Sequence, residues 1–261
     1  MATKITAPLV MQMKAEARPV VCITAYDATG GAICDAAGVD LVLVGDSLGN
    51  VILGHPTTVP VTMDDMVHHT RATRKGVKNA MLVADLPFGS YQSSVAQGVE
   101  NAVTLMQAGA EGVKLEGDYP EVISAIHKAG IPIMGHVGFT PQSVNTFGGF
   151  RVQGRGDQAT EIAAQAKRIQ DAGAFAIVLE LMPVDVAKMI SESLNVPTIG
   201  IGAGVGCDGQ IQVFHDVVGL APKVYRHAKK YADGRVDFVT GLRRYTEEVR
   251  QRQFPTDEQS F

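Results

Sequence analysis

The sequence predicts an α/β protein built as a single (β/α)8 TIM barrel, and three observations support this fold class. First, the chain has 261 residues, of which 46% are apolar, enough to form the core of one barrel-sized domain. Second, helix-like stretches repeatedly end in alanine and glycine just before an apolar run. This pattern occurs at Ala37-Gly38-Val39, Ala108-Gly109-Ala110, Ala129-Gly130-Ile131 and Ala172-Gly173-Ala174. Third, short runs rich in valine, isoleucine or leucine recur along the chain, as parallel β/α units require.

The predicted strands are mostly continuous apolar runs, as expected for a parallel sheet that is covered on both faces. Eight such strands within about 200 residues favour a closed barrel over an open sheet. The predicted strands are Val20–Tyr26, Leu41–Gly45, Ala80–Leu86, Gly112–Glu116, Ile131–Val137, Phe175–Leu181, Thr198–Ile201 and Ile211–Phe214.

Several helix starts can be recognised between these strands. Thr62-Met63-Asp64-Asp65 resembles a capping box, Pro120 suits a first helical turn, and Asp157 or Thr160 is expected to cap the following helix. We expect one barrel domain over residues 1–261, with residues 1–19 as an N-terminal helical segment and residues 243–261 as a C-terminal tail. The tail is polar and is expected to be helical until it frays after Phe254.

The composition excludes several classes of partner. With 23 basic and 27 acidic residues, the chain carries a formal charge of -4 and shows no basic stripe for nucleic acid. Its longest apolar runs, such as Ala174–Leu179, are far shorter than the ~20 residues of a membrane span. The cysteines Cys22, Cys34 and Cys207 form no CxxC pair, which favours reduced thiols in a cytoplasmic protein without a signal peptide.

Charged or imidazole side chains lie at the ends of five successive predicted strands. Because the carboxyl ends of the strands meet at one face of a barrel, these groups are expected to converge there. Converging buried acids need a counter-ion, and hard carboxylate oxygens without a cysteine or histidine cluster favour Mg²⁺ over zinc. We expect Asp46 and Asp85 as direct ligands and Glu116 as a third, direct or through water. The groups are Asp46, Asp85, Lys114 with Glu116, His136, and Glu180.

Each of these residues also has a structural interpretation. Asp46 or Asp85 could cap a following helix, Lys114 and Glu116 could form an ion pair, and His136 could be a hydrogen-bonded strand-end residue. Glu180 could simply begin a helix. The recurrence of such groups at the same end of consecutive strands favours a functional site.

Three loops are candidates for substrate contact, because each follows a predicted strand and so lies at the same face. Ser47–Pro60 and Phe139–Gly156 are longer than packing requires and could act as lids or clamps, or be plain surface loops. The glycine-rich turn Gly200–Gly204 resembles a phosphate site, or leaves space for a bulky ligand.

Ordered sequence motifs run along nearly the whole chain. They are Thr24-Ala25-Tyr26-Asp27, Val44-Gly45-Asp46-Ser47-Leu48-Gly49, Ala84-Asp85-Leu86-Pro87-Phe88, Val113-Lys114-Leu115-Glu116-Gly117, Gly135-His136-Val137-Gly138-Phe139-Thr140-Pro141-Gln142-Ser143, the segment from Phe147 to Gly156, Gly200-Ile201-Gly202-Ala203-Gly204 and Asp208-Gly209-Gln210. Together these motifs resemble the ketopantoate hydroxymethyltransferase family.

The resemblance implies transfer of a one-carbon unit from 5,10-methylenetetrahydrofolate to 3-methyl-2-oxobutanoate, giving 2-dehydropantoate in pantothenate and coenzyme A biosynthesis. It also implies a Mg²⁺-dependent enolate, a barrel fold and a large homo-oligomer, often a decamer. The implied metal positions are Asp46, Asp85 and Glu116. The implied oxo-acid contacts are Asp46, Ser47, Asp85 and Lys114, the implied proton acceptor is Glu180, and His136 is a further candidate for binding substrate or folate.

Three other functions remain open from the residues. A lyase of the same enolate-forming barrel group would use the same metal site to cleave a C–C or C–P bond without folate. A barrel synthase with a phosphate substrate would use the Gly200–Gly204 turn. A non-catalytic metal-dependent assembly protein would leave the convergence of acids unexplained.

Overall fold

The computed structural model describes residues 3–261, which divide into two compact units. The first unit ends at Val213 and the second is Phe214–Phe261. In the first, eight parallel strands pair in chain order and the eighth pairs with the first, which closes the sheet into a barrel. This confirms the predicted (β/α)8 fold. One domain over residues 1–261 stays a prediction, and residues 1 and 2 of the N-terminal segment lie outside the described residues.

The strands have the following bounds: β1 Val20–Thr24, β2 Leu41–Val44, β3 Met81–Asp85, β4 Gly112–Lys114, β5 Ile133–Gly138, β6 Ala176–Glu180, β7 Thr198–Ile201 and β8 Gly209–Gln212. The predicted bounds of β7 are confirmed, and those of most others are one or two residues too long. The predicted β8 began too late. The observed strand begins at Gly209, which pairs with Val20 of β1 and Ile199 of β7. Pairing with distant strands therefore determines where β8 begins, and the apolar run does not show it.

The helices, in chain order, are α1 Ala7–Ala15, α2 Ala28–Ala36, α3 Leu48–Val51, α4 Met63–Gly76, α5 Val95–Gln107, α6 Pro120–Lys128, α7 Val144–Phe147, α8 Gln158–Asp171, α9 Val184–Ser193, α10 Phe214–Val217 and α11 Gly234–Arg250. Helices α2 to α9 connect successive strands. Short 3₁₀ helices occupy Pro141–Ser143 and Asp257–Gln259.

Local sequence signals account for several of these boundaries. The Thr62 hydroxyl accepts from the Asp65 amide and the Asp65 carboxylate accepts in return, the predicted capping box of α4. Pro120 begins α6 as predicted, whereas Asp157 precedes α8 without a capping hydrogen bond. Gly173 ends α8 with a φ of 108°, and a Cβ there would lie 2.6 Å from Cγ of His127. Glycine is therefore required at this turn.

Helix α1 closes the amino-terminal end of the barrel. Its buried residues Val10 and Met13 pack in one apolar cluster with strand residues such as Leu41 and Met81. The cluster also contains Val178 of β6, so it draws on residues from distant parts of the chain. Burial of this apolar surface is the main favourable contribution to folding at this end.

The second unit consists mainly of α11, which begins at Gly234, earlier than the predicted tail boundary at residue 243. No residue of α11 is buried. The prediction of fraying after Phe254 is wrong for Asp257–Gln259, where Thr256 caps a 3₁₀ helix. Among residues 3–261, no helix combines the length and apolarity that crossing a lipid bilayer demands.

Candidate active site at the barrel mouth

The ends of β3 to β6 bring four predicted residues into a chain of contacts. Lys114 Nζ lies 2.9 Å from Asp85 Oδ1 and 3.4 Å from His136 Nδ1. On the far side of the ring, His136 Nε2 lies 3.4 Å from Glu180 Oε2. The side chains are almost fully buried, with Glu180 the most exposed of them at 14%. The structure confirms that these side chains lie close together at the carboxyl ends of the strands.

Asp46 joins this group from beyond the end of β2. Leu41 and Leu43 belong to the apolar cluster inside the barrel, whereas Val42 and Val44 do not. Asp46 is an odd number of positions from both leucines, so it does not simply continue the face of β2 that lines this cluster. The strand ends first, and the chain turns so that the Asp46 amide donates to Asp85 Oδ2 at 3.0 Å.

Glu116 reaches the site two residues past β4. Backbone bonds from Leu115 to Met134 and from Gly117 to His136 keep this segment extended beside β5. Since alternate residues of an extended chain face the same way, Glu116 lies on the face of Lys114. Its Oε1 lies 3.6 Å from Nδ1 of His136.

The buried carboxyl groups hold their protons more tightly than usual. Burial, followed by the charge of Asp85, raises the pKa of Asp46 to about 7. Burial also raises the pKa of Asp85, against the opposing charge of Lys114, and raises that of Glu116 well above its usual range. Burial and the charges of Asp46 and Asp85 raise the pKa of Glu180 to about 8. Four acids thus compete for very little positive charge.

The pKa values of the two basic groups at the mouth, Lys114 and His136, shift in opposite directions. Burial alone would lower the pKa of Lys114, but the charges of Asp85, Glu116 and Asp46 outweigh it and raise the pKa. Lys114 is therefore protonated. Burial and the neighbouring Lys114 charge lower the pKa of His136 well below its usual range, so the imidazole is neutral.

The surplus of carboxylates fits a divalent cation. Among residues 3–261, no three histidine, cysteine, aspartate or glutamate side chains lie close enough together to make a ready metal-binding group. Mg²⁺, however, commonly takes one or two carboxylates and completes its octahedron with water and substrate oxygens. The adjacent Asp46 and Asp85 suit that arrangement, and Gln142 links Glu116 to the same group.

Three polar residues at the mouth were missed as site candidates from the sequence. Tyr26 is buried after β1, and its hydroxyl lies 2.8 Å from Oγ of Ser47. Gln142 and Tyr91 are buried beside the carboxylates, and their side chains bond to each other at 2.8 Å. Tyr26 and Gln142 do occur in the motifs that carry the family resemblance, which was the available signal.

The three loops noted in the sequence differ in their relation to this group. Ser47–Pro60 begins beside Asp46 and contains α3. Phe139–Gly156 contains Gln142 and α7. In the turn Gly200–Gly204, the Gly204 carbonyl accepts from Nε2 of Gln210 at 2.9 Å. The phosphate-site interpretation of this turn stays a prediction.

Sequence comparisons agree with these motifs. The family model for ketopantoate hydroxymethyltransferase matches residues 4–257. A 3-methyl-2-oxobutanoate hydroxymethyltransferase of Aeropyrum pernix is 49% identical over 98% of this chain and 94% of its own length. The enzymes of that name from Syntrophus aciditrophicus and Moorella thermoacetica are 48% and 49% identical, each over 99% of this chain and over 97% and 98% of their own lengths.

Solved structures of other proteins share the fold. Phosphonopyruvate hydrolase in complex with oxalate and Mg²⁺ superposes with a TM-score of 0.62 at 13% identity, covering 98% of this chain and 90% of that one. The 2,3-dimethylmalate lyase, a member of the PEP mutase/isocitrate lyase superfamily, gives 0.60 at 15% identity over 98% and 92%. At such identities the likeness concerns the fold alone. The full-length family match and the close relatives show that this chain belongs to the ketopantoate hydroxymethyltransferase family.

Proposed function

We propose that the protein transfers a hydroxymethyl group from 5,10-methylenetetrahydrofolate to 3-methyl-2-oxobutanoate and so forms 2-dehydropantoate for pantothenate biosynthesis. Membership in the family supports the reaction. The observation that carries the mechanism is the cluster at the barrel mouth, where Asp46, Asp85 and Glu116 are buried together with Lys114 and where Glu180 joins them through His136. Such a cluster is suited to a cation and to an anionic substrate that develops further charge during reaction.

Asp46 and Asp85 would hold Mg²⁺, with Glu116 holding it directly or through water. Bound there, the cation would supply Lewis-acid stabilisation of negative charge on the oxygen of the substrate carbonyl. Carboxylates must be ionised to bind a metal, so the raised pKa values of these residues describe the protein without its cation.

Lys114 and Ser47 would bind the oxo acid with Asp46 and Asp85. Lys114 is protonated and buried, and an ammonium group in low dielectric is a strong partner for a substrate carboxylate. The Ser47 hydroxyl is held by Tyr26, which leaves it oriented for a second hydrogen bond.

Glu180 would remove the proton from the carbon next to the carbonyl. Its raised pKa, about 8, makes it a stronger base than an ordinary glutamate. His136, neutral and 3.4 Å away, would hydrogen-bond to Glu180 or to a bound ligand through Nε2, which has no hydrogen-bond partner among the described residues.

A cavity of about 300 Å³ beside Glu116 supports a folate co-substrate. Phe88, Tyr91 and Tyr119 line it and offer aromatic faces or edges to a flat ring, while Gln92 adds an amide. The pterin ring of the folate would occupy this cavity, close to the carboxylates.

We also place the protein in the cytoplasm and in a large homo-oligomer, a decamer by family resemblance. Cytoplasmic placement rests on the biosynthetic family and the reduced cysteines. Sedimentation analysis of the purified protein tests the oligomer, and a monomer at micromolar concentration would contradict it.

The activity is tested by incubating the protein with 3-methyl-2-oxobutanoate, 5,10-methylenetetrahydrofolate and Mg²⁺ and measuring 2-dehydropantoate by mass spectrometry. We expect product only when all three are present. Absence of product, together with release of a small oxo acid from a C–C or C–P substrate without folate, would instead identify a lyase.

A further inference from the structure

The side chain of Gln142 is buried, and both of its polar atoms, Nε2 and Oε1, form hydrogen bonds. It lies in the 3₁₀ helix after β5 and is 4% exposed. Nε2 donates to Asp46 Oδ2 at 2.9 Å and to the Leu86 carbonyl at 3.0 Å, and Oε1 accepts from Tyr91 at 2.8 Å and from Gln92 at 3.2 Å. The two acceptors around Nε2 fix the orientation of the amide, because an oxygen there would face two oxygens.

The same residue also contacts a second carboxylate. The backbone N–H of Gln142 donates to Glu116 Oε2 at 2.9 Å. Tyr91, which is 1% exposed, holds the backbone of Glu116 from the other side, since its hydroxyl accepts the Glu116 N–H at 3.1 Å. Gln142 and Tyr91 together therefore tie two separate strand ends to one short helix.

These contacts engage one oxygen of each carboxylate. Gln142 bonds Oδ2 of Asp46 and Oε2 of Glu116. Gln142 makes no hydrogen bond to Oδ1 of Asp46 or to Oε1 of Glu116, so it does not block either oxygen from a cation or from water bound to it. A hydrogen bond to one oxygen both orients a carboxylate and favours its ionised form, which is the form that binds metal.

We propose that Gln142, supported by Tyr91, is a positioning residue that orients Asp46 and Glu116 for a divalent cation. The inference rests on the proposed function and deepens it. Gln142 acts through the carboxylates and is not itself a metal ligand, because its Oε1, the atom that would bind a metal, already accepts from Tyr91 and Gln92.

The test is the affinity of the purified protein for Mn²⁺, measured by electron paramagnetic resonance without substrate. Gln142→Met keeps the length and burial of the side chain and the backbone bond to Glu116, but removes the side-chain hydrogen bonds to Asp46, Leu86, Tyr91 and Gln92. Loss of an outer-shell partner typically weakens metal binding about 10–100-fold, and we expect a loss in that range. Tyr91→Phe removes one oxygen atom, keeps the fold, and should weaken binding several-fold.

Gln153→Met is the matched control. Gln153 is also a buried glutamine of the Phe139–Gly156 loop, but its amide donates to the Arg151 carbonyl rather than to a carboxylate. Gln153→Met should bind Mn²⁺ as the wild type does, and all three variants should remain folded at the temperature of the assay.

Wild-type affinity in both Gln142→Met and Tyr91→Phe would overturn the proposal, as would equal loss in Gln153→Met. If Gln142→Met does not fold, Tyr91→Phe decides. Product formation by the wild type tests the reaction separately: a wild type that binds Mn²⁺ in a Gln142-dependent way but makes no product would refute the proposed function and retain the positioning role.

Discussion

The two ends of the barrel are built from the same strands but bury opposite kinds of groups. At the amino-terminal end, Met81 of β3 packs with Met13 of α1 in an apolar cluster. Four residues along the same strand, Asp85 is buried beside Lys114 and the other acids. Apolar burial is favourable, whereas burial of like charges costs free energy unless a counter-ion is present. The amino-terminal end of the barrel therefore stabilises the fold, whereas the carboxyl-terminal end gives up stability in favour of ligand binding.

The largest expected effect of a single substitution is at Glu180. Glu180→Gln should remove the base while leaving the binding of oxo acid and metal nearly intact. We expect exchange of the proton next to the carbonyl of 3-methyl-2-oxobutanoate to fall about 10²–10⁴-fold, as for loss of a general base. The exchange is followed by NMR in D₂O, and an unchanged rate would remove Glu180 from this role.

A substitution at the opposite end should affect stability and leave chemistry intact. Met13 is fully buried, and Met13→Ala should lower the free energy of unfolding by about 2–5 kcal/mol. The folded fraction should retain wild-type kcat. Met11→Ala, on the exposed side of the same helix, is the control and should cost far less. Chemical denaturation measures both, and a large loss of kcat in folded Met13→Ala would contradict the division between the two ends.

Asp46→Asn should stabilise the metal-free protein. Because the pKa of Asp46 is raised from 3.8 to about 7 in the folded state, its carboxyl group favours folding at low pH, and that contribution is lost as pH rises through this range. At pH 8 without metal, the variant should gain about 1–4 kcal/mol in unfolding free energy, and near pH 4 almost nothing. Mg²⁺ should stabilise only the wild type. A destabilised variant in EDTA at pH 8 would contradict this.

The smallest expected effect is a pH dependence. Glu180 acts as a base only when ionised, so proton exchange should rise with pH below its pKa and level off above it. The protein without metal sets that pKa at about 8, and a bound cation should lower it, moving the plateau to lower pH. Exchange rates between pH 5 and 9 check this, and a rate that falls as pH rises would exclude the base.

The structural features that depend on neighbouring residues alone could be predicted from the sequence. Gly173 ends its helix with a positive φ whatever the rest of the chain does, and Asp85 and Lys114 end apolar strands that can be recognised on their own. The start of β8 at Gly209 depends on pairing with two other strands and could not be read from an apolar run.

The support of the carboxylates was beyond sequence reasoning for a similar reason. Gln142 reaches Tyr91 across 51 positions of the chain and Asp46 across 96, distances over which spacing carries no signal. Asp46 was predicted at the mouth from its place at the end of an apolar run, but the turn after Val44 that brings its amide to Asp85 depends on a contact across 39 positions.

The central claim is that the acids at the mouth form a site for one divalent cation. Titration of the metal-free protein with Mn²⁺, followed by electron paramagnetic resonance, tests it most directly. We predict one ion bound per chain in the wild type and none at the same concentrations in Asp46→Asn/Asp85→Asn. A wild type that binds no ion, or a double variant that retains it, would contradict the account.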